Sequence, residues 1–175
     1  QGLFKDQLPE PTALDKQLVK DGLRHEEVLI SKLKKDGYRI ASLPGKQIER
    51  DYQATKEAMA DGYDFIWQAS LQNEEMRGSA DLLRRIKSPS SLGEWSYRPI
   101  ECKLASKTKT TFLVQACAYC ELLTPLLGER PEQFELYLGG GKFLEFATDK
   151  FWAWYQLLRK RYEHFRHAFN PNEFP

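Results

Sequence analysis

Glu101 and Lys103 stand two residues apart in a segment, Ile100–Leu104, that has the composition of a β-strand. Because successive side chains of a strand point to opposite faces, a carboxylate and an ammonium group project side by side from one face. The other face of the segment is apolar. The pair is therefore either a solvent-facing ion pair on an amphipathic strand or part of a catalytic site.

A second carboxylate, Asp81, lies within 76–86, a segment otherwise typical of a strand. Asp is depleted in strands, so an edge position, a bulge after Gly78 or a role as a ligand must explain it. The segment 97–104 follows directly, and pairing of the two segments would bring Asp81 beside Glu101. Two such carboxylates repel unless a cation or a proton lies between them. Hard oxygen ligands in this arrangement favour Mg²⁺ or Mn²⁺.

The first helix offers a third candidate ligand, Glu26, at the centre of a stripe whose members recur at alternating steps of four and three. An ionised Glu within a buried stripe is costly without a partner, so Glu26 either turns towards solvent or serves the site. His25 lies one step round the helix and is its rival, with a structural role as the alternative. The stripe consists of Val19, Leu23, Glu26, Ile30 and Leu33.

Gln115 and Tyr119 lie one turn apart on a helix predicted from about Thr111 to Leu127. They are either the polar flank of an ordinary helix, with a half-buried tyrosine, or a polar pair aimed at a phosphate or at Lys103. Their side of the helix is distinct from the apolar face, which carries Leu113, Ala116, Cys117, Cys120, Leu123 and Leu127.

Composition limits the compartment and the class of partner. The net charge of +1 provides no global attraction to nucleic acid, so any phosphate binding requires a local patch. An odd number of cysteines without a secretory leader predicts a reducing, cytoplasmic location, and no apolar run of membrane-spanning length is present. The cysteines are too few for an iron–sulfur cluster or a zinc site, so none is expected and all three are interpreted as buried small hydrophobes. They are Cys102, Cys117 and Cys120.

The elements that must position these residues follow the order α-β-α-β-β-β-α-β-β-α, which predicts one α/β domain with a mixed central sheet flanked by helices. The ends, 1–11 and 170–175, are expected to be flexible or to link to a neighbouring domain. The helices are predicted at Thr12–Lys35, Ala54–Asp61, Thr111–Leu127 and Asp149–Phe169, the last with Asp149 as N-cap. The strands are predicted at Tyr38–Leu43, Phe65–Leu71, Met76–Ile86, Tyr97–Leu104, Gln133–Leu138 and Lys142–Ala147, the last two joined across Gly139–Gly141.

Three short motifs occur in order along the chain: Gly78-x-x-Asp81, Glu101-x-Lys103 and Gln115-x-x-x-Tyr119. Together they resemble the PD-(D/E)XK nuclease superfamily, in its RecB-like branch. The likeness extends over Gly22–Glu26, Gly62–Ala69, Arg77–Leu83, Glu101–Ala105 and Val114–Leu123. One departure is that Glu101 stands where Asp is expected, a position at which the superfamily also accepts Glu. The resemblance implies a restriction-endonuclease-like core and Mg²⁺- or Mn²⁺-dependent hydrolysis of DNA, in DNA repair, recombination or foreign-DNA processing.

The resemblance also implies roles for individual residues. Asp81 and Glu101 would be metal ligands, together with Glu26 or His25 from the helix. Lys103 would orient or deprotonate the attacking water and stabilise charge on the phosphate. The motif residues on the later helix, Gln115 and Tyr119, would support Lys103 or the DNA strand.

The expected partners are DNA and, by family analogy, a helicase domain or subunit; no membrane is expected. Contacts to the DNA backbone are expected from Arg77, Lys107 and Lys109, with Arg84 nearby, unless these form a solvated face. The aromatic residues of the last helix (Trp152, Trp154 and Tyr155) are interpreted as core packing rather than as a base-stacking platform. Two alternatives stay open: a catalytically silent, nuclease-fold DNA-binding module attached to a helicase, and a protein-interaction domain with a surface Glu101–Lys103 pair.

Overall fold

A computed structural model of the chain describes residues 10–43 and 48–170. It has an α/β fold in which a six-stranded mixed sheet is flanked by four helices, the arrangement expected for a restriction-endonuclease-like core. The predicted order of ten elements is confirmed. They are α1 (Ala13–Lys35), β1 (Ile40–Ser42), α2 (Ile48–Ala60), β2 (Phe65–Gln72), β3 (Arg77–Ile86), β4 (Ser96–Lys103), α3 (Thr110–Leu127), β5 (Gln133–Leu138), β6 (Lys142–Ala147) and α4 (Asp149–Ala168).

All predicted bounds hold within two residues except the start of α2. Helix α2 begins at Ile48, six residues before the predicted start, because the periodic signal is weak there. β1 is shorter than predicted. The N-cap of α4 is Thr148 rather than Asp149, which lies inside the first turn and forms an ion pair with Arg130. Most of the predicted flexible ends lies outside the described residues.

The strands lie in the sheet in their order along the chain, from β1 to β6. The β1–β2 and β4–β5 pairs are parallel, and the β2–β3, β3–β4 and β5–β6 pairs are antiparallel. The predicted pairing of the strands that carry Asp81 and Glu101 is therefore confirmed. Both strands are interior, so an edge position does not explain Asp81.

Helix α1 covers one face of the sheet, and its predicted apolar stripe is only half correct. Ile30 and Leu33 are buried together with Leu29. Val19 and Leu23 are 66% and 47% exposed, and none of residues 10–28 is buried. Only the second half of α1 lies over the sheet, so the periodicity continues past the point where the helix has a surface to cover.

The opposite face of the sheet is covered by α2 and α3, and α4 packs against α3 and β5. Cys117 and Cys120 are buried in the α3 packing, and Cys102 is buried beneath α1, so the predicted role of the cysteines as buried hydrophobes is confirmed. By length and composition α3 could cross a membrane, a test that the core helices of water-soluble proteins also pass. Here its inner side packs against the sheet.

Candidate active site

The candidate site lies where the regular ladder of β2, β3 and β4 breaks. The register of β2 with β3 skips the position at which Gln68 would face Asp81, and Gln68 has a left-handed φ of 57°. A non-glycine residue in that region is uncommon, and such strain is typical of functional sites. The β3–β4 ladder also ends at the Leu82–Ile100 pair, immediately before Asp81 and Glu101 would meet. The break separates the strands at the position of the two carboxylates.

Asp81 replaces the missing backbone partner. Its Oδ2 accepts a hydrogen bond of 2.8 Å from the backbone N–H of Cys102, which the interrupted ladder leaves without a β3 carbonyl. Burial raises the pKa of Asp81, although this hydrogen bond and the charge of Lys103 oppose the shift. A carboxylate at an interior strand position is thus tied to the backbone of the next strand.

Glu101 is fully buried. One carboxylate oxygen pairs with Lys103, whereas the other, Oε2, has no hydrogen-bond partner among residues 10–43 and 48–170. Burial, and next the neighbouring charge of Asp81, raise the pKa of Glu101 to about 8. An unpartnered oxygen in a buried carboxylate costs free energy, so this atom stands ready to accept a proton or a cation.

Lys103 lies on the same side of β4 as Glu101, as the strand alternation predicted. Its ammonium group also lies 5.5 Å from the ring centre of Phe112, near the start of α3. Burial disfavours the charged form, but the carboxylate of Glu101 outweighs this effect, assisted by Asp81, and the pKa of Lys103 is raised. The ammonium group is therefore charged and held beside the two carboxylates.

The structure brings Glu26, rather than His25, to the carboxylates. Glu26 Oε2 accepts hydrogen bonds from Trp67 Nε1 at 2.9 Å and from Gln68 Nε2 at 2.6 Å. Burial, followed by the charge of Asp81, raises the pKa of Glu26. His25 instead stacks on Tyr137, with ring centres 4.7 Å apart.

Sequence reasoning assigned no role to Trp67 or Gln68, which orient Glu26. The available signal was a polar residue, Gln68, within the run Phe65–Ala69 of β2, whose other residues are apolar. Its side chain bridges two parts of the site, because Gln68 Oε1 also accepts a bond of 3.4 Å from the Ser79 hydroxyl. A glutamine in an interior strand is thus a useful marker of a polar site.

Tyr119 supports the site from α3. Its hydroxyl donates a 2.7 Å bond to the backbone oxygen of Ser79 and accepts a 3.0 Å bond from Gln115. Tyr119 is buried rather than half-buried. A Cβ atom at Gly78 would come within 3.1 Å of the Tyr119 ring, so the glycine lets the ring approach the strand. The described contacts therefore place Tyr119 against the backbone just before Asp81, without a hydrogen bond to Lys103.

The site opens into a shallow groove of about 400 Å³. Polar groups form its floor, whereas Val19, Leu23 and Leu104 form apolar walls that solvent reaches. The groove is lined by Val19, Gly22, Leu23, Glu26, Gln68, Asp81, Cys102, Lys103 and Leu104.

The predicted DNA-contacting cations differ in their surroundings. Arg77, Lys107 and Lys109 have exposed side chains, and Lys109 lies 6.0 Å from the Phe112 ring centre. Arg84 forms an ion pair of 2.9 Å with Glu135 and lines a larger groove of about 810 Å³ that contains none of the site residues. The expectation for Arg84 as a cation available to a phosphate is therefore not supported by its contacts.

The donor set partly fits the divalent cation that the resemblance implies. Two carboxylates meet, and Glu101 Oε2 lacks a hydrogen-bond partner in the described part of the chain, which suits Mg²⁺ or Mn²⁺. However, the described residues contain no group of three or more His, Cys, Asp or Glu side chains arranged to hold a metal. Asp81 and Glu101 are the residues that would hold it, and Glu26 is the acidic residue of α1 that lines the same groove as Asp81.

Comparison with known proteins adds no assignment. The chain matches no known protein family, and no curated protein is significantly similar to it in sequence.

Proposed function

We propose that this chain is a Mg²⁺- or Mn²⁺-dependent nuclease that hydrolyses phosphodiester bonds of DNA, in repair, recombination or foreign-DNA processing. One observation carries the proposal: the carboxylates of Asp81 and the fully buried Glu101 meet beside Lys103, where two interior strands part. Burial raises the pKa of both, and the charge of Asp81 raises that of Glu101 further. A purely structural ion pair does not require a second carboxylate or an interrupted ladder. The likeness of the three sequence motifs to the RecB-like nucleases points the same way.

The chemistry of phosphodiester hydrolysis matches these side chains. Attack by water adds negative charge to the phosphoryl oxygens and to the leaving oxygen. Lys103 can donate a hydrogen bond to a phosphoryl oxygen and stabilise that charge. When bound, a divalent cation would neutralise charge and lower the pKa of a bound water. Asp81 and Glu101 would hold it, and their mutual repulsion would be relieved.

The Glu101–Lys103 ion pair is consistent with a resting site. The Lys103 ammonium group is paired with the Glu101 carboxylate. A cation that binds Glu101 would release Lys103, and a phosphate that binds Lys103 would release Glu101. Tyr119 and Gln115 would act as positioning residues, because they contact the backbone before Asp81 and each other. Glu26 is held by Trp67 and Gln68 at the groove.

The alternative is a catalytically silent DNA-binding module, and one observation favours it. Glu26 is already hydrogen-bonded, and the described residues contain no ready-made group of three ligands. A silent module would bind DNA equally well in EDTA and would have no affinity for Mn²⁺.

The two functions are separated by incubating the protein with labelled single- and double-stranded DNA in Mg²⁺, Mn²⁺ or EDTA. Cleavage that requires metal and is lost in Asp81→Asn supports the nuclease. The matched control is Asp36→Asn, an exposed carboxylate at the end of α1. Unimpaired cleavage by Asp81→Asn, or no cleavage in any metal, contradicts the proposal. Calorimetry with Mn²⁺ on the same variants tests the ligands directly.

A further inference from the structure

From Trp154 onward, α4 has a surface that neither the fold nor the candidate site uses. Trp154, Leu157, Tyr162 and Phe165 are between 37% and 60% exposed, although large apolar side chains are usually well buried. Trp154, Leu158, Tyr162 and Phe165 recur at steps of four, four and three, so their side chains share one side of the helix. We call this side, with the residues that flank it, the α4 surface: Trp154, Leu157, Leu158, Arg161, Tyr162, Phe165 and Arg166.

Tyr155 and Arg159 anchor α4 to the rest of the fold. The Tyr155 hydroxyl donates a 2.6 Å bond to Glu121 on α3, and Arg159 pairs with Glu75 and Glu121. Tyr155 is 3% exposed, so the predicted core role holds for Tyr155 but not for Trp154. Tyr162 follows Tyr155 by two turns on nearly the same side of the helix, yet it is 60% exposed.

Charge is concentrated on the same helix. Residues 149–168 contain five basic and two acidic residues, a net charge of +3 in a chain whose total is +1. Lys160, Arg161 and Arg166 are exposed, and within the described part of the chain they have no acidic partner at ion-pair distance. The nearly neutral net charge of the chain therefore includes a local basic patch on α4. Phosphate binding requires such a patch when the chain as a whole is nearly neutral.

Unpaired cations interleaved with exposed aromatic rings match the chemistry of single-stranded nucleic acid. Each unpaired base has a face that stacks on an aromatic ring, and each phosphate attracts a cation. A duplex keeps its bases stacked inside and would use only the cations. Basic amphipathic helices also bind anionic membranes. Nucleic acid is favoured here because α4 contacts the hairpin between β2 and β3, and β3 carries Asp81 of the candidate site.

That contact runs through the hairpin between β2 and β3. Arg159 pairs with Glu75, and Tyr155 contacts the sulfur of Met76 at 4.0 Å. Five residues of strand, roughly 17 Å, separate Met76 from Asp81. The exposed Arg77 lies between them on this path.

We infer that the α4 surface binds single-stranded nucleic acid, with bases on Trp154, Tyr162 and Phe165 and phosphates on Arg161 and Arg166. In the nuclease proposed above, this surface would hold the substrate strand beyond the cleavage site. The role in cleavage rests on that proposed function, whereas the binding itself does not require catalysis.

Binding is measured in EDTA by fluorescence anisotropy with a labelled oligothymidylate and with a duplex of equal length. Tyr162→Ala combined with Phe165→Ala should weaken oligothymidylate binding by about tenfold or more and change duplex binding little. Arg161→Ala combined with Arg166→Ala should lower the slope of log Kd against log salt by roughly 1.4. The matched control is Val28→Ala with Lys32→Ala, an exposed apolar and basic pair on α1.

Three outcomes would overturn the inference: unchanged oligothymidylate affinity in the double aromatic variant, equal loss in the α1 control, or preference for the duplex. Binding to phosphatidylserine vesicles without binding to oligothymidylate would assign the surface to membranes. Self-association abolished by the aromatic change, without nucleic acid binding, would assign it to a second copy. The binding assays are run in EDTA and do not depend on cleavage. Their results therefore stand even if the proposed nuclease activity is refuted.

Discussion

Two buried glutamates on neighbouring strands of one sheet show how a structural carboxylate differs from a candidate catalytic one. Glu135 on β5 is the register partner of Ile100, one residue from Glu101, and both glutamates are almost inaccessible to solvent. Glu135 is paired with two arginines, Arg84 at 2.9 Å and Arg98 at 2.6 Å. Glu101 pairs with one lysine and has a second carboxylate as neighbour. Its other oxygen has no hydrogen-bond partner within the residues that the structure describes.

The charge balance explains the difference. Burial raises the pKa of both groups, but two arginines oppose the shift at Glu135. At Glu101 the nearby Asp81 reinforces it. A structural network compensates its buried charge within the protein, whereas a binding site leaves part of it to be compensated by a ligand.

The largest effect is expected from Lys103→Ala. If Lys103 stabilises charge on the phosphate, cleavage should fall by about 10²- to 10⁴-fold while folding persists. Rates are measured on labelled DNA at saturating Mn²⁺. The control is Lys142→Ala, at an exposed lysine on β6 that has no proposed role; equal activity of Lys103→Ala and the wild type would remove Lys103 from the mechanism.

The difference between Glu135 and Glu101 is tested by the unfolding free energy of a glutamine variant at each position. Glu135→Gln leaves Arg84 and Arg98 without their shared carboxylate and should cost about 3 kcal/mol, the lower end of the range because Arg84 reaches solvent. Glu101→Gln removes a charge that the fold does not compensate and should cost less, while weakening Mn²⁺ binding. Urea unfolding and calorimetry measure the two effects, and the reverse pattern would refute the distinction.

The pH dependence sharpens the comparison. The ordinary pKa of Glu101 is 4.5 and its folded value is about 8, so the folded state favours the protonated form. In EDTA its stabilising contribution is complete below about pH 4.5 and is lost as pH rises through about 8. In the wild type the unfolding free energy should therefore decrease as pH rises from about 4.5 to about 8. In Glu101→Gln this decrease should be smaller, and the part due to Asp81 should remain. An unaltered pH profile would contradict the assignment.

Glu26→Gln and His25→Ala test which residue of α1 serves the site. Glu26 lines the groove near Asp81, so Glu26→Gln should weaken Mn²⁺ binding by about tenfold or more. His25→Ala should lower stability, because it removes the stacking on Tyr137, without changing metal affinity. The opposite result in calorimetry would restore His25 as the ligand.

The smallest effect is expected from Tyr119→Phe, which removes the hydroxyl bonded to Ser79 and Gln115. The loss should be about 1 kcal/mol of unfolding free energy, with a modest decrease in cleavage rate. A positioning role predicts that the pH profile of cleavage also shifts, since Asp81 follows Ser79 by two residues. Loss of stability with an unchanged profile would make Tyr119 purely structural.

The local patterns of the sequence were sufficient for the order of elements and for the side of β4 that carries Glu101 and Lys103. Alternation in a strand and periodicity in a helix depend only on neighbouring residues, so they can be read without the rest of the chain. The pairing of β3 with β4 also followed from their succession. The exposure of Val19 and Leu23 did not, because it depends on where the sheet ends beneath α1.

Only the tertiary structure shows that Glu26, and not His25, lines the groove with Asp81, since the rotation of α1 over the sheet is set by the burial of Leu29, Ile30 and Leu33. It also distinguished Glu135 from Glu101, because the arginines of Glu135 come from other strands. The sequence alone identified the carboxylate, lysine and histidine side chains that could take part in catalysis or metal binding. Which of them meet, and which charges stay uncompensated, depends on contacts between residues far apart along the chain.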